Sequence, residues 1–336
     1  MRVSLSLNRQ TTLLILVILL VISAIAATQL GAMKLSLTEI WQQPFDSIVW
    51  QVWLTIRVPR VLLALLIGAA LAVSGTIMQG LFRNPLADPG LLGISSGAGL
   101  MVALALLLPL QLPLFASLWL PVIAAFIGSL LVTLLIFQLN KVSQGQLSRL
   151  LLLGIAINAL SGSFIGVLSW LSNDQQLRQL SLWGMGSLAQ AQWPVVGICA
   201  LIIVPTSLLL LRSARALNLL QLGEEDAFYS GLDVLRTQQY LLIGNALLVG
   251  TAVSFTGIIG FIGLVIPHLV RMVFGSDHRW LLPGSMIVGG LLLLLSDTLA
   301  RTLVQPAEMP VGLLTSLLGA PWFFMLILKR LKASYA

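Results

Sequence analysis

Arg60-Val61-Leu62-Leu63-Ala64-Leu65-Leu66-Ile67-Gly68-Ala69-Ala70-Leu71 recurs in the second half of the chain as Arg236-Thr237-Gln238-Gln239-Tyr240-Leu241-Leu242-Ile243-Gly244-Asn245-Ala246-Leu247. Both copies place Arg eight positions ahead of a Gly-x-Ala-Leu element, and both lie in long apolar runs. An apolar half written twice is the mark of a membrane transporter whose two structural repeats surround a central path.

Composition places the chain in a bilayer. Hydrophobic residues make up 58% and charged residues 9%, against about 25% charged in soluble domains. No Asp, Glu, Lys or Arg occurs over 10–33, 61–82 or 89–140. The last run exceeds one span of roughly 20 residues and suits two, with a turn marked by Pro109 and Pro113. About ten spans are expected, near 12–30, 58–81, 91–108, 115–138, 149–171, 193–211, 238–256, 258–271, 281–296 and 311–328. The eighth is short and broken by Gly260, Gly263 and Pro267, so a half-helix or re-entrant element is expected there. Arg2 and Arg9 ahead of an apolar run that ends in Ser23-Ala24-Ile25-Ala26-Ala27 resemble a secretory signal. The run is long enough to cross, and the rest of the chain is polytopic, so a retained first span is expected.

With the N-terminus inside, thirteen Lys and Arg fall on the inner side and five outside: Lys34, Arg57, Arg60, Arg178 and Arg301. This positive-inside bias puts both termini in the cytoplasm. Repeats that start an odd number of spans apart must be inverted. The fold class is therefore all-α integral membrane, with about ten transmembrane helices in two inverted five-helix repeats.

Two connections are long. Residues 172–192 lie outside. Residues 212–237 lie inside and form the polar exception in the chain. Glu224, Glu225 and Asp226 suit a helix N-terminus, and Gly231 suits the position just past its end. Two short helices meeting at Gly223 are expected, with an apolar face of Leu219, Leu220, Leu222, Ala227 and Phe228 that serves as a docking surface.

Several function classes lack residues. No Gly-x4-Gly-Lys-Ser/Thr element is present, so the chain has no phosphate loop of its own. No zinc or hydrolase motif appears, and His268 and His278 are distant in sequence, so neither an enzyme nor a metal site is supported. The lone Cys199 reads as a packing residue. The net charge of +7 is scattered over segment ends, which argues against nucleic acid as a partner. An ion-coupled carrier needs an intramembrane ionisable group, and Asp297 and Glu308 sit only at outer span ends. Asn158 and Asn245 read as polar glue between helices, and Gly93-x3-Gly97 and Gly162-x3-Gly166 as close crossings.

Asn84-Pro85-Leu86-Ala87-Asp88-Pro89-Gly90-Leu91-Leu92-Gly93-Ile94-Ser95-Ser96-Gly97-Ala98 resembles the signature of the membrane permeases of iron-siderophore, heme and cobalamin ABC importers. Gly260 to Arg271, with Gly263, Pro267 and His268, is similar to the second signature of that family. Glu308-Met309-Pro310-Val311-Gly312 with Leu318-Gly319-Ala320-Pro321 is similar to its last. Leu222, Gly223, Ala227 and Gly231 fit its coupling segment.

The resemblance implies one polytopic permease domain over 1–336, with repeat halves of about 1–190 and 191–336 and a cytoplasmic coupling segment at about 212–237. It implies a homodimer in a bacterial inner membrane, two cytoplasmic ATPase subunits that carry the ATP, and a periplasmic substrate-binding protein. It also implies that Arg57, Arg60 and Arg301 dock carboxylates of that binding protein. Gly154 to Gly166 and Asp174 to Leu188 look most like the heme permeases, which makes heme the expected transported substrate and leaves no permanently bound cofactor. Cobalamin and ferric siderophores stand as alternatives. His268 is not expected to ligate heme, because the Pro-His pair belongs to the signature whatever the substrate. Met78, Met101, Met185 and Met309 are candidates for a path lining.

Overall fold

The computed structural model describes residues 8–31, 33, 36–107, 113–142, 147–305 and 307–334. Arg2, Lys34 and Pro109 lie outside the described residues. Every regular element among the described residues is helical.

The first half holds α1 (Arg9–Gln29), the short α2 (Leu37–Gln42) and α3 (Ile48–Val52), then α4 (Val58–Leu81), α5 (Ile94–Leu107), α6 (Leu114–Val142) and α7 (Leu147–Leu171). An amphipathic α8 (Asp174–Gly184) comes next, closed by a capping box between Asn173 and Gln176. The second half holds α9 (Trp193–Leu211), α10 (Ala214–Leu222), α11 (Glu224–Tyr229), α12 (Val234–Thr256), α13 (Ile262–Phe274), α14 (His278–Leu303) and α15 (Val311–Ser334). Among the described residues, seven helices are long and apolar enough to cross a membrane, and α5, α13 and the Val311–Met325 part of α15 are shorter apolar helices. These ten coincide with the ten expected spans.

The packing carries the repeat. The equivalent helices α4 and α12 are the innermost of the long spans. In the first half α5 packs on α6, and in the second α13 packs on α14; across the halves α4 packs on α14 and α12 on α6. Gly68 allows the first of these crossings, because a Cβ there would strike the Gly289 carbonyl. Gly97 permits the α5–α6 crossing, where a Cβ would meet Val132 and the Gly128 carbonyl. Gly162 and Gly166 behave differently: no atom of the described residues lies within 4 Å of a Cβ at either position. Their expected close crossing does not form among the described residues, because α7 meets its neighbours through another face, on which Gly154, Ile157 and Ser161 are buried.

A π turn at Trp53–Arg57 leads into α4, with the Val58 N–H reaching back to the Trp53 carbonyl. Pro59 comes directly after, and its ring excludes the carbonyl of the preceding turn, which widens the helix there. The consequence is that Arg57 and Arg60 both turn inward.

Candidate functional site

Three places among the described residues carry polar chemistry: the interrupted third span of each half, a cluster of charges where α4 begins and α14 ends, and the segment between α9 and α12; on the expected orientation the cluster is outer and the segment inner.

The two interruptions match. Helices α5 and α13 have 14 and 13 residues, about 20 Å each, short of the ~30 Å hydrocarbon core. Each begins just after a left-handed residue, Gly93 at φ 83° and Phe261 at φ 68°. The signature residues build the first interruption by turn chemistry. Asn84 accepts from the Leu86 N–H at 2.9 Å through Oδ1, closing a turn around Pro85. Asp88 accepts from the Gly90 N–H at 2.8 Å and starts a 3₁₀ turn on Pro89. Burial raises the Asp88 carboxyl above its ordinary pKa, with the Gly90 N–H opposing.

The second interruption seats against α4. Gly263 admits the Leu71 carbonyl and Asp88 Oδ2, each 3.2 Å from where a Cβ would stand. Gln79 donates toward the Gly263 and Leu264 carbonyls at 3.4 and 3.2 Å, and Arg271 donates to Gln79 Oε1 at 3.1 Å. Pro267 is buried within α13. His268 stacks edge-on against Trp322 at 5.7 Å.

A cavity of about 270 Å³ separates the two interruptions, with Asp88, Gly90 and Ser96 on one side and Ile259, Gly260 and Gly263 on the other. A second, apolar cavity of about 180 Å³ lies among α13, α14 and α15, bounded by Phe261, Leu292, Leu318 and Trp322. Both are smaller than the ~300–1,000 Å³ of ordinary small-molecule sites. Asn158 is used as glue: it accepts from Ser96 Oγ and donates to the Gly90 carbonyl at 3.1 Å. Asn245 accepts from Ser74 Oγ, joining α12 to α4. Met78 is fully enclosed in the core and faces no path within this chain, and Cys199 is likewise buried.

The outer arginines depart from expectation. Arg57, Arg60 and Arg301 are 6%, 7% and 4% exposed, and each is occupied inside the chain. Arg60 forks onto Asp297, with Nη2–Oδ1 and Nε–Oδ2 both at 3.0 Å, and places Nη1 2.8 Å from Glu308 Oε2. Arg301 lies 3.6 Å from Asp297 Oδ2 and donates to the Ala27 carbonyl at 2.6 Å. Arg57 donates to the Leu30 and Met33 carbonyls just past α1. Cations beside an apolar core must be paired or hydrogen-bonded: Asp297 and Glu308 meet that need for Arg60 and Arg301, and backbone carbonyls meet it for Arg57. The exposed member is Glu308, whose side chain is 49% accessible.

The inner segment takes the expected form with one change. Helices α10 and α11 meet at Gly223, φ 138°. Glu224, Glu225 and Asp226 occupy the first turn of α11. Gly231, φ 86°, lies just past its end: the Gly231 N–H returns to the Phe228 carbonyl at 2.9 Å and the Leu232 N–H to that of Ala227 at 3.0 Å. This is the six-to-one closure a left-handed glycine permits. The apolar face divides. Leu220 and Ala227 point into the protein, at 2% and 0% exposed, while Leu222, Phe228 and Tyr229 point out, at 66%, 65% and 85%. The cause is helical periodicity: the inward residues anchor the segment, and those a part-turn away face outward.

These features match a known family over most of the chain, whose FecCD transport family model covers residues 15–329. The chain belongs to the FecCD transport family. It is 58% identical to the hemin transport system permease protein HmuU of Yersinia pestis, over 94% of each chain. It is 40% identical to the vitamin B12 import system permease protein BtuC of Vibrio vulnificus strain CMCP6, over 96% of this chain and 94% of that one. A solved metal-chelate type ABC transporter in an inward-facing conformation superposes with a TM-score of 0.86 at 33% identity, over 95% of this chain and 99% of that one.

In this FecCD chain, sequence reasoning missed the polar joints. Asn218 of α10 contacts both Asp277 and His278. His278, which falls between the expected spans 258–271 and 281–296, is the first residue of α14 and is 0% exposed. The signal was present: Ser-Asp-His before a helix is a start pattern, and Asp277 does accept from the Arg279 N–H at 3.0 Å. The Asp277 carboxyl, although partly desolvated, is held below its ordinary pKa by the Arg279 N–H, the Asn218 amide and the Arg279 side chain.

Proposed function

We propose that this chain is the membrane permease subunit of a binding-protein-dependent ABC importer that moves heme from periplasm to cytoplasm. The observation that carries the substrate is the 58% identity to a hemin permease over 94% of both chains. Two copies enclose the path, a binding protein delivers heme from outside, and separate cytoplasmic subunits hydrolyse ATP. The chain sits in a bacterial inner membrane with both termini inside.

Two features support a path between copies. The two half-open cavities described above, about 180 and 270 Å³, lie below the usual range for a ligand site. Helix α7 leaves Leu152, Ile155, Leu160, Phe164 and Trp170 largely uncovered, an apolar surface that a second copy or lipid must cover.

The segment 212–237 docks the ATPase through Leu222, Glu225, Asp226 and Phe228, with Gly223 and Gly231 setting its shape. Binding-protein docking at Arg57, Arg60 and Arg301 is reached through the edge that Glu308 exposes, where an incoming carboxylate competes with Glu308 for Arg60. Signature residues from Asn84 to Gly97 and from Gly263 to Arg271 form the gating elements, because they build the two helix interruptions.

The relatives named for vitamin B12 import favour cobalamin as the second reading. ATP-driven uptake into liposomes holding the chain with its ATPase and binding protein tests both, with hemin, cobalamin and a ferric siderophore offered in parallel. Hemin uptake alone is expected. Uptake of another ligand overturns the substrate, and uptake without ATP overturns the importer.

A further inference from the structure

Helices α4 and α14 form one antiparallel pair across the membrane. Residue 60 stands opposite 297 through the forked ion pair. Residue 68 stands opposite 289 in backbone contact, and residue 80 opposite 278, where a Cβ on Gly80 would come 2.7 Å from His278 Nε2. The register holds from end to end, over about 30 Å for the twenty-one residues of α4 involved. Close glycine contact in the middle, the ion pair at one end and the His278 ring seated on Gly80 at the other leave little freedom for the two helices to slide.

The inner end of this pair is held by one side chain of the inner segment. Asn218 accepts from the His278 backbone N–H at 2.9 Å. A backbone N–H can only donate, so the amide atom facing it is Oδ1, and Nδ2 is thereby turned to Asp277 Oδ1, at 2.7 Å. The same Oδ1 lies 2.9 Å from His278 Nδ1, which assigns the ring hydrogen to Nδ1. The remaining Nε2 is then a lone pair facing Gly80, with no hydrogen-bond partner among the described residues. Leu217, one position earlier on α10, is fully buried and would lie 3.1 Å from a Cβ on Gly80. Helix α10 therefore rests on the ends of both members of the pair.

We propose that Asn218 is a positioning residue for transport: it fastens the inner segment to the α4–α14 pair, so that a displacement of the segment reaches the outer cluster of Arg60, Asp297 and Glu308 as the movement of one body. The proposal rests on the reading of 212–237 as the ATPase-docking segment. Asn218 faces inward to α14, away from the outward residues Leu222, Phe228 and Tyr229, so it serves transmission and leaves docking to them. Gln238 of α12 holds Glu224 of α11 at 3.2 Å in a comparable way, giving the segment a second, independent attachment that keeps it folded when the first is cut.

The test is hemin uptake per ATP hydrolysed, in liposomes holding the full transporter with its ATPase and binding protein. Asn218→Leu is expected to co-purify with the ATPase and keep its basal hydrolysis, while uptake per ATP falls about fivefold or more, the worth of at least one net hydrogen bond. Asn218→Asp keeps an acceptor for the His278 N–H but sets a carboxylate against Asp277, so the ratio is again expected to fall. Adding Asp277→Asn removes the facing carboxylates and lets an amide Nδ2 meet the carboxylate at position 218, although the Oδ1 that accepts from the Arg279 N–H is given up. At least half of the loss is therefore expected to be restored. A parental ratio in N218L or N218D overturns the proposal. If N218L does not assemble, the other pair decides: restoration by D277N supports it, and an unrestored loss overturns it. Failure of the docking reading would look different, because Phe228→Ala and Glu225→Lys would then co-purify with the ATPase as the parental chain does.

Discussion

Arg60 in α4 and Asp297 in α14 are joined by a forked ion pair across 237 residues of chain, with both side chains at or below 8% accessibility. Arg301 shares the same carboxylate from one helical turn away, and Glu308 closes the outer side. This arrangement resembles a clasp on the ends of α1, α4 and α14 more than a surface presented to a partner. Replacing Asp297 by Asn keeps the shape and leaves Arg60 and Arg301 in excess. The expected cost is about 3–5 kcal/mol, the usual penalty for stranding a buried charge. Thermal unfolding in detergent reads it directly, and an unchanged midpoint for D297N would remove the structural role of the cluster.

Glu308 offers the contrast, because its side chain is half accessible. Glu308→Gln is expected to change stability by less than about 1 kcal/mol. If an incoming carboxylate competes for Arg60, the same variant binds its periplasmic partner more tightly, with the gain largest at low salt. Equal affinity for the two forms, measured by titration in detergent, would count against docking at this edge.

Gly75 and Gly162 should respond oppositely to a methyl group. A Cβ on Gly75 would overlap the backbone of Gly263, so Gly75→Ala must push α4 and α13 apart, at an expected cost of about 1–3 kcal/mol or more. Around Gly162 there is open space within this chain, and Gly162→Ala is expected to leave the melting of the isolated chain within about 0.5 kcal/mol of the parent. Loss of the native oligomer in G162A alone, seen by size-exclusion chromatography with light scattering, would place that face of α7 against a second copy.

Two carboxyls set opposite pH dependences. Asp277 has its folded pKa below the unfolded value, so its contribution is present above the unfolded carboxylate range and is lost as pH falls through the folded value. Asp88 has its folded pKa raised by burial, so its contribution is present below the unfolded value and is lost as pH rises through the folded one. Asp88→Asn retains an acceptor for the Gly90 N–H and is expected to raise the melting temperature at neutral pH, with the gain shrinking as the pH approaches about 4. Asp277→Asn is expected to lower it at neutral pH, with the loss shrinking on acidification. Melting curves across that pH range would refute either assignment if the trends ran the other way.

The inner segment separates packing from docking by residue. Leu220 is buried, and Leu220→Ala is expected to cost about 2–5 kcal/mol. Phe228 is exposed, so Phe228→Ala should leave the fold within about 0.5 kcal/mol and weaken co-purification with the ATPase, as should Glu225→Lys. Undiminished co-purification of both exposed-site variants would sink the docking role.

Much was legible in the residues alone. The ten spans follow from apolar run length, because a bilayer admits only backbones that satisfy themselves. The break at Gly223 and the stop at Gly231 follow from local backbone sterics, and the duplicated Arg-Gly-Ala-Leu pattern announces the two halves. Charge and cap signals act within one turn, so reading them needs no partner.

What the tertiary structure alone decided is which polar groups meet. The sequence marks Arg60, Asp297 and Glu308 as charges at span ends, equally fit to face water, lipid headgroups or a partner. It leaves Asp277, His278 and Arg279 between two expected spans and does not single out Asn218. Their pairing depends on the register of α4 against α14, fixed by the glycine contact at Gly68 and Gly289, and on the seating of α10 over Gly80. A shift of one residue along a helix turns a side chain by about 100°, so a charge read as outward becomes an internal clamp through packing set many residues away.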